Sequence, residues 1–374
     1  MKNNASTPLL LILLGIMLSC NLEKIELGDV PTATFERHYG GSNPDNASAA
    51  IELSDGSFVL AGYGNSHLIK IHGQTGDSLR SFLGASGSST FWIDDLMKIN
   101  NDKIVVCGFR TENLIWKGMV ARFDAALTHE EEVNSGATND FPKFDWYRQI
   151  LQASDGGYRV LGVNNNVPFI GSMLSDFSFP PNSFAFSDYH LTTDGFMQTK
   201  EGSFIYTTGK QAVNTRYFIK TKKNAYFEID WSIAFDFYLS DVIEAADGNF
   251  ILPGLSFDMR PQFAVVSPNQ SVLFNAPFGT KEGSFRQVIE VSDGYLFAGN
   301  ISPGKNGGVD GYIVKFNKNF QFLWEQEYGG ALDDYFYDII STKDGGILCV
   351  GSTKSFGSGD DDVYVVKTDK DGKL

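Results

Sequence analysis

A glycine-marked unit recurs along this chain and leaves it very few architectures. In the clearest copy, Trp324 to Gly330, Tyr335 to Ser341, Ile347 to Gly351 and Asp362 to Asp369 read with a period of two, as short strands divided by turns. Lys343-Asp344-Gly345-Gly346 is a hairpin signal, because Asp-Gly and Gly-Gly supply the positive φ that tight turns demand. Ile347 to Val350 is continuously apolar, as in a strand covered on both faces, whereas Phe322 to Tyr328 mixes apolar and charged residues, as in an outer strand wet on one side. The glycine that closes the second strand returns at Gly62, Gly108, Gly162, Gly209, Gly254, Gly299 and Gly351, 45 to 54 residues apart. Each follows a turn such as Asp55-Gly56, Asp155-Gly156, Asp247-Gly248 or Asp344-Gly345. A third strand returns as Leu68-Ile-Lys-Ile71, Val120-Ala-Arg-Phe123, Phe218-Ile-Lys-Thr221, Ile313-Val-Lys-Phe316 and Val365-Val-Lys-Thr368. The stretch from Val163 to His190, with Pro180-Pro181, is the poorest copy, and the sequence gives its third strand no clear place.

A near-constant period in this range means a solenoid or a propeller. The last unit lacks a fourth strand, while Thr34 to Gly41 is a fourth strand without the first three, and the two fragments together make one repeat length. The expectation is therefore an all-β, seven-bladed β-propeller with four-stranded blades, closed by an N-terminal strand completing the last blade. An open stack would need polar caps instead. The 39 glycines and 31 phenylalanines suit strands and turns. A net charge of −15 with no basic patch argues against nucleic acid as a partner.

The repeat resembles the bacterial seven-bladed propeller repeats known as SBBP, whose pattern runs aromatic, Tyr-Gly-Gly, an Asp-rich loop, Asp-Gly-Gly, a closing glycine and a Val-Lys-x-Asp strand. Here Tyr39-Gly-Gly41, Tyr328-Gly-Gly330, Asp344-Gly-Gly346 and Val366-Lys-Thr-Asp369 carry it. The resemblance covers residues 32–374 and implies a fold rather than an activity.

Residues 1–20 read as a processing segment. Lys2 is followed by the apolar run Pro8 to Leu18, which is eleven residues, where a spanning helix needs about 20. The run ends in Met17-Leu18-Ser19-Cys20. This resembles a bacterial lipoprotein signal, with Met17 in place of the usual leucine, and it implies lipidation of Cys20 and a membrane partner through the lipid anchor. Two or more acyl chains make such an anchor stable, at about 0.8 kcal/mol per buried methylene. Residues 21–31 then form a tether, with Asn21, Glu23, Lys24 and Glu26 fitting an outer-membrane or cell-surface lipoprotein, and residues 32–374 form the propeller.

On the face carrying the fourth-to-first and second-to-third loops, aromatics and carboxylates gather at Trp92, Asp94, Asp145, Trp146, Asp334 and Tyr335. Flat rings stack on apolar faces of sugars or peptides and carboxylates accept their hydroxyls, so these residues are the candidate ligand-binding set, with a glycan or a protein as partner. The competing reading has the rings packing between blades and the aspartates capping turns. The lysines at Lys70, Lys220, Lys315 and Lys367 recur too regularly for one active site, and their heads are expected on neighbouring carboxylates. Asp310 and Asp360 to Asp362 offer oxygens to calcium, but three consecutive aspartates point alternately, so solvated turns are the better reading. Cys107 and Cys349 read as small buried hydrophobes. His38, His67, His72, His129 and His190 show no metal spacing, and no linear catalytic or cofactor motif is present.

The sequence therefore predicts a lipid-anchored extracytoplasmic propeller that binds or scaffolds without catalysis, with no cofactor, metal or catalytic residue assigned. The alternatives are a polysaccharide-processing enzyme using acidic residues at the mouth, and a purely structural subunit. Clustered carboxylates with raised pKa in a deep pocket would favour the enzyme, and a broad apolar patch the scaffold.

Overall fold

The strand Phe35–Tyr39 pairs antiparallel with Asp362–Thr368, Phe35 facing Lys367 and Tyr39 facing Val363. It thereby becomes the outer strand of the sheet built from Asp334–Ser341, Ile347–Thr353 and Asp362–Thr368. In this computed structural model the described residues are 32–64, 67–83, 91–112, 115–134, 146–164, 167–179, 184–186, 193–209, 215–223, 228–358 and 360–374. The signal segment, Cys20, the tether and Asp145 lie outside them.

The chain is an all-β propeller of antiparallel sheets. The expectation of seven separate four-stranded blades is corrected. Among the described residues the strands form six sheets: four with four strands, one with five and one with eight, so five are blade-sized. The eight-stranded sheet takes the first two repeat units together. Phe91–Ile99 starts early enough for Trp92 to pair with Tyr63, just beyond the closing Gly62. Their rings stack with centroids 4.0 Å apart. Sequence periodicity counts repeat units, whereas sheet boundaries depend on which backbone edges find one another. The third strand that the sequence left unplaced is Val167–Met173.

The closing glycines have a steric cause. A Cβ on Gly62, Gly108, Gly254, Gly299 or Gly351 would lie 1.8–2.0 Å from a backbone carbonyl of the neighbouring inner strand, at Asn46, Trp92, Tyr238, Ser284 and Tyr335 respectively. No side chain fits there. At the opposite end of the sheets, the turn glycines Gly56, Gly156, Gly248 and Gly345 take φ between 81° and 84°. The preceding aspartates accept the backbone N–H two residues on, as at Asp55–Ser57 (2.9 Å) and Asp247–Asn249 (3.0 Å).

Apolar clusters sit between consecutive sheets. Leu296, Ala298, Phe336, Ile339, Cys349 and Tyr364 form one, and Phe263, Phe285, Phe297, Tyr312 and Phe316 belong to another. Each large buried side chain contributes roughly 1.5–3 kcal/mol. Cys107 and Cys349 are buried and free. The recurrent lysines place their heads on the hairpin acids of their own sheets: Lys70 on Asp55 (3.1 Å), Lys315 on Asp293 (2.8 Å), Lys367 on Asp344 (2.6 Å), and Lys220 on Glu201. The same hairpins tie one unit to the next, Lys343 N donating to Glu52 (2.8 Å), Lys200 N to Glu244 (2.9 Å) and Ala246 N to Glu290 (2.7 Å).

Candidate functional site

The inner strand of each unit breaks register near its middle. The breaks fall between Ala47 and Ala49, Ile93 and Asp95, Tyr147 and Gln149, Thr193 and Phe196, Phe285 and Gln287, and Phe336 and Asp338. In the remaining unit the strand is split outright, into Phe237–Leu239 and Ile243–Glu244. A bulge inserts an extra residue and re-aims side chains. Here it turns two consecutive residues toward one space, in the pairs Ser48-Ala49, Asp94-Asp95, Arg148-Gln149, Ser240-Asp241, Arg286-Gln287 and Tyr337-Asp338. They line a cavity of about 470 Å³.

The two members of a pair do different work. In four of the pairs the second member reaches the next inner strand. Ile150 N donates to Asp95 (3.0 Å), Val288 N to Asp241 (3.4 Å), Ile339 N to Gln287 (2.7 Å) and Ala50 N to Asp338 (2.7 Å). These bonds stitch neighbouring units where no sheet ladder joins them. Among first members, Ser48 and Ser240 donate to the carbonyls of Ile93 and Phe285, each at 2.7 Å. Asp94, Arg148, Arg286 and Tyr337 remain as the cavity's larger polar first members.

Burial pushes Asp94, Asp95 and Asp241 up to about 7 and Asp338 up to about 6. For Asp95 the negative charge of Asp338 adds to burial, and for Asp241 those of Asp338 and Asp95 do, against the backbone N–H bonds that favour ionisation. At Asp94 the Trp146 indole N–H and the Arg148 guanidinium oppose burial. Arg148 lies over the Trp146 ring, 4.6 Å from its centroid, a cation–π contact worth about 0.5–2 kcal/mol. The cavity thus holds carboxyl groups able to exchange protons near neutrality, two guanidinium groups and tyrosine, glutamine and serine side chains. Among the described residues, no three His, Cys, Asp or Glu side chains gather as a metal site.

The residues nominated from sequence scatter. Asp94 lines the cavity, and Trp146 donates its indole N–H to it. Tyr335 stacks on the cavity residue Tyr337, centroids 6.3 Å apart. Trp92 lies between Tyr63 and Phe109, at 4.0 and 5.5 Å, and is part of the packing. Asp334 is fully buried and accepts bonds from Gly330 N (2.7 Å), Ser355 Oγ (2.7 Å) and Thr353 Oγ1. Asp145 lies outside the described residues. Sequence reasoning missed Asp95, Arg148, Asp241, Arg286 and Asp338. A signal was present: an apolar–polar–(Asp or Gln)–apolar quartet recurs as Ile93-Asp-Asp-Leu96, Tyr147-Arg-Gln-Ile150, Leu239-Ser-Asp-Val242, Phe285-Arg-Gln-Val288 and Phe336-Tyr-Asp-Ile339.

No protein-family model matches the chain, and no curated protein matches its sequence. Solved propellers resemble it in fold. A streptogramin B lyase is 11% identical, with 90% of this chain and 98% of that one covered, at a TM-score of 0.55. A catalytically inactive virginiamycin B lyase from Staphylococcus aureus, solved with quinupristin, is 11% identical, with 89% and 99% covered, at a TM-score of 0.57. At this identity the likeness is one of architecture.

Proposed function

We propose that this chain is a lipid-anchored, extracytoplasmic propeller of the SBBP kind that binds a small, hydroxyl-rich ligand such as a saccharide in its axial cavity. One observation carries the reading: the bulged inner strands direct Asp94, Arg148, Arg286 and Tyr337 into a single cavity of about 470 Å³. Sites for small ligands run to about 300–1,000 Å³ and use a few convergent polar groups for orientation. Carboxylates and guanidinium groups facing one another suit hydroxyls, which donate to one and accept from the other. The anchor rests on the apolar run before Cys20, and labelling with a radioactive fatty acid that is lost in Cys20→Ala tests it.

Calorimetric titration of the purified chain against a panel of neutral and acidic oligosaccharides tests the site. Arg148→Met and Asp94→Asn should each weaken binding at least about tenfold, the loss expected from one charge-assisted bond. Trp92→Phe, in the packing, should leave it unchanged. A panel without a binder, or binding that survives both cavity substitutions, would refute the reading.

A second reading, polysaccharide cleavage by acid–base catalysis, is favoured by carboxyl groups raised to about 7 in that cavity. Release of reducing ends with a bell-shaped pH profile, abolished in Asp94→Asn, would support it. Binding without turnover would leave the protein a receptor.

A further inference from the structure

Away from the axis, two aspartates meet at the loop that leaves Phe322–Tyr328 and enters Asp334–Ser341. Asp310 and Asp334 are both fully buried. They converge on Gly329: a Cβ there would lie 2.5 Å from Asp334 Oδ2 and 2.8 Å from Asp310 Oδ1. Asp334 is supplied with donors from Gly330, Thr353 and Ser355. Asp310 Oδ2 accepts from Asn306 N at 3.2 Å, but Asp310 Oδ1 receives no hydrogen bond from any described group. Nearby Glu327 is in the same position on one side: Oε1 holds Lys281 Nζ at 2.8 Å, and Oε2 is buried with no described partner.

Buried carboxylates need compensation. Glu327 is paired with Lys281, whereas among the described residues Asp310 and Asp334 have no ion pair, which leaves two carboxyl groups at this junction without a countercharge. One shared proton would remove only half of that. We propose that the junction of Asp310 and Asp334 binds a divalent cation of calcium's chemistry, with Asp310 Oδ1 as a ligand. Calcium accepts six to eight oxygens in loose geometry, and carbonyls of these glycine-rich loops and water would complete its shell. Magnesium, which demands a near-ideal octahedron, fits two fixed carboxylates less well. The arrangement is also repeated in the chain. At Gly40 a Cβ would meet Asp362 Oδ1 at 1.7 Å and Asp45 Oδ2 at 2.9 Å, and both aspartates are buried. Gly41 N donates to Asp45 there (3.0 Å) as Gly330 N donates to Asp334 (2.7 Å).

The test is titration of the full chain with calcium chloride after treatment with EGTA, read by calorimetry and by thermal midpoint. Calcium should raise the wild-type midpoint by several degrees, magnesium by less. Asp310→Asn should lose one equivalent of bound calcium and at least tenfold in affinity at this site. A wild-type midpoint indifferent to calcium and EGTA overturns the proposal without recourse to a variant. So does an Asp310→Asn protein that keeps every equivalent. If that variant is more stable than wild type in EGTA while wild type ignores calcium, the pair shares a proton and holds no ion.

Discussion

Asp55, Asp293 and Asp344 at the hairpin end, and Asp95, Asp241 and Asp338 on the axis, come from the same repeat yet titrate in opposite directions. At Asp55 partial burial works against ionisation, but hydrogen bonds from Ser57 and Lys70 outweigh it and hold the carboxyl at about 2. Asp293 is lowered chiefly by its bond to Lys315. At Asp344 burial is again outweighed, here by Lys367 and Thr342. The axial carboxyls have backbone N–H donors and one another, with no ammonium among them, and burial wins. An aspartate's charge is thus decided by whether a lysine from its own sheet offsets its burial or backbone N–H groups alone oppose it.

Removing residues 21–41 should produce the largest change. It strips the strand Phe35–Tyr39 from the closing sheet and the Ala33 carbonyl from Lys367 Nζ, which lies 2.6 Å away. Loss of several kcal/mol, at about 1–2 °C per kcal/mol for an unfolding entropy of about 2 cal/mol/K per residue over this length, should lower the thermal midpoint by about 5 °C or more. An unchanged midpoint would mean the hairpin-end pair of Lys367 and Asp344 stands without that strand.

Lys367→Met comes next. Lys367 is 1% exposed, and its loss leaves Asp344 without its ammonium, at about 2–3 kcal/mol in urea denaturation. A cost below about 0.5 kcal/mol would show that Thr342 and Gly346 suffice to hold the aspartate. On the axis, Asp95→Ala deprives Ile150 N of its acceptor and should cost about 1–3 kcal/mol. Asp95→Asn keeps an acceptor and should match or exceed wild type at pH 8, where the charge is the liability. Equal losses in both variants would locate the effect in packing.

The pH dependence separates the two sets. The axial carboxyls are raised from an ordinary 3.8 to between about 6 and 7. The native state therefore holds protons that the unfolded chain releases, and their contribution is complete below about 4 and lost as pH rises through about 6–7. The hairpin acids are lowered, so their contribution is present above about 4 and lost only as pH falls below that, toward about 2 at Asp55. Between pH 5 and 8 the raised carboxyls of the axis act, Asp94 among them, and the hairpin acids do not, so the midpoint should fall by several degrees. The triple variant Asp95→Asn, Asp241→Asn, Asp338→Asn should reduce that slope by more than half, and an undiminished slope would assign it elsewhere. Smallest of all, Lys370→Ala removes an exposed pair with Asp371 (2.8 Å) and should change stability by less than about 0.5 kcal/mol.

Much of the fold was legible because it is local. Asp344-Gly345-Gly346 encodes its own hairpin, Ile347 to Val350 its own buried strand, and Lys367 its own aspartate, all within one unit. Gly351 was readable as a mark but not as a cause, since its reason is the carbonyl of Tyr335 on the strand beside it. Of the site, Asp94 and Trp146 were found among the aromatics and carboxylates gathered on one loop face. Arg148, Asp241 and Arg286 were passed over, because each looks like an ordinary polar residue until a bulge turns it to the axis.

Sequence alone thus determined the strands, turns and repeat length, because spacing, turn chemistry and apolar patterning act over a few residues. Tertiary structure decided how many sheets those units make and where two of them fuse. It also decided which carboxyl groups are buried around one cavity and so are pushed up toward neutrality. Those properties belong to distances between residues such as Asp95 and Asp338, far apart in the chain, and no local pattern specifies them.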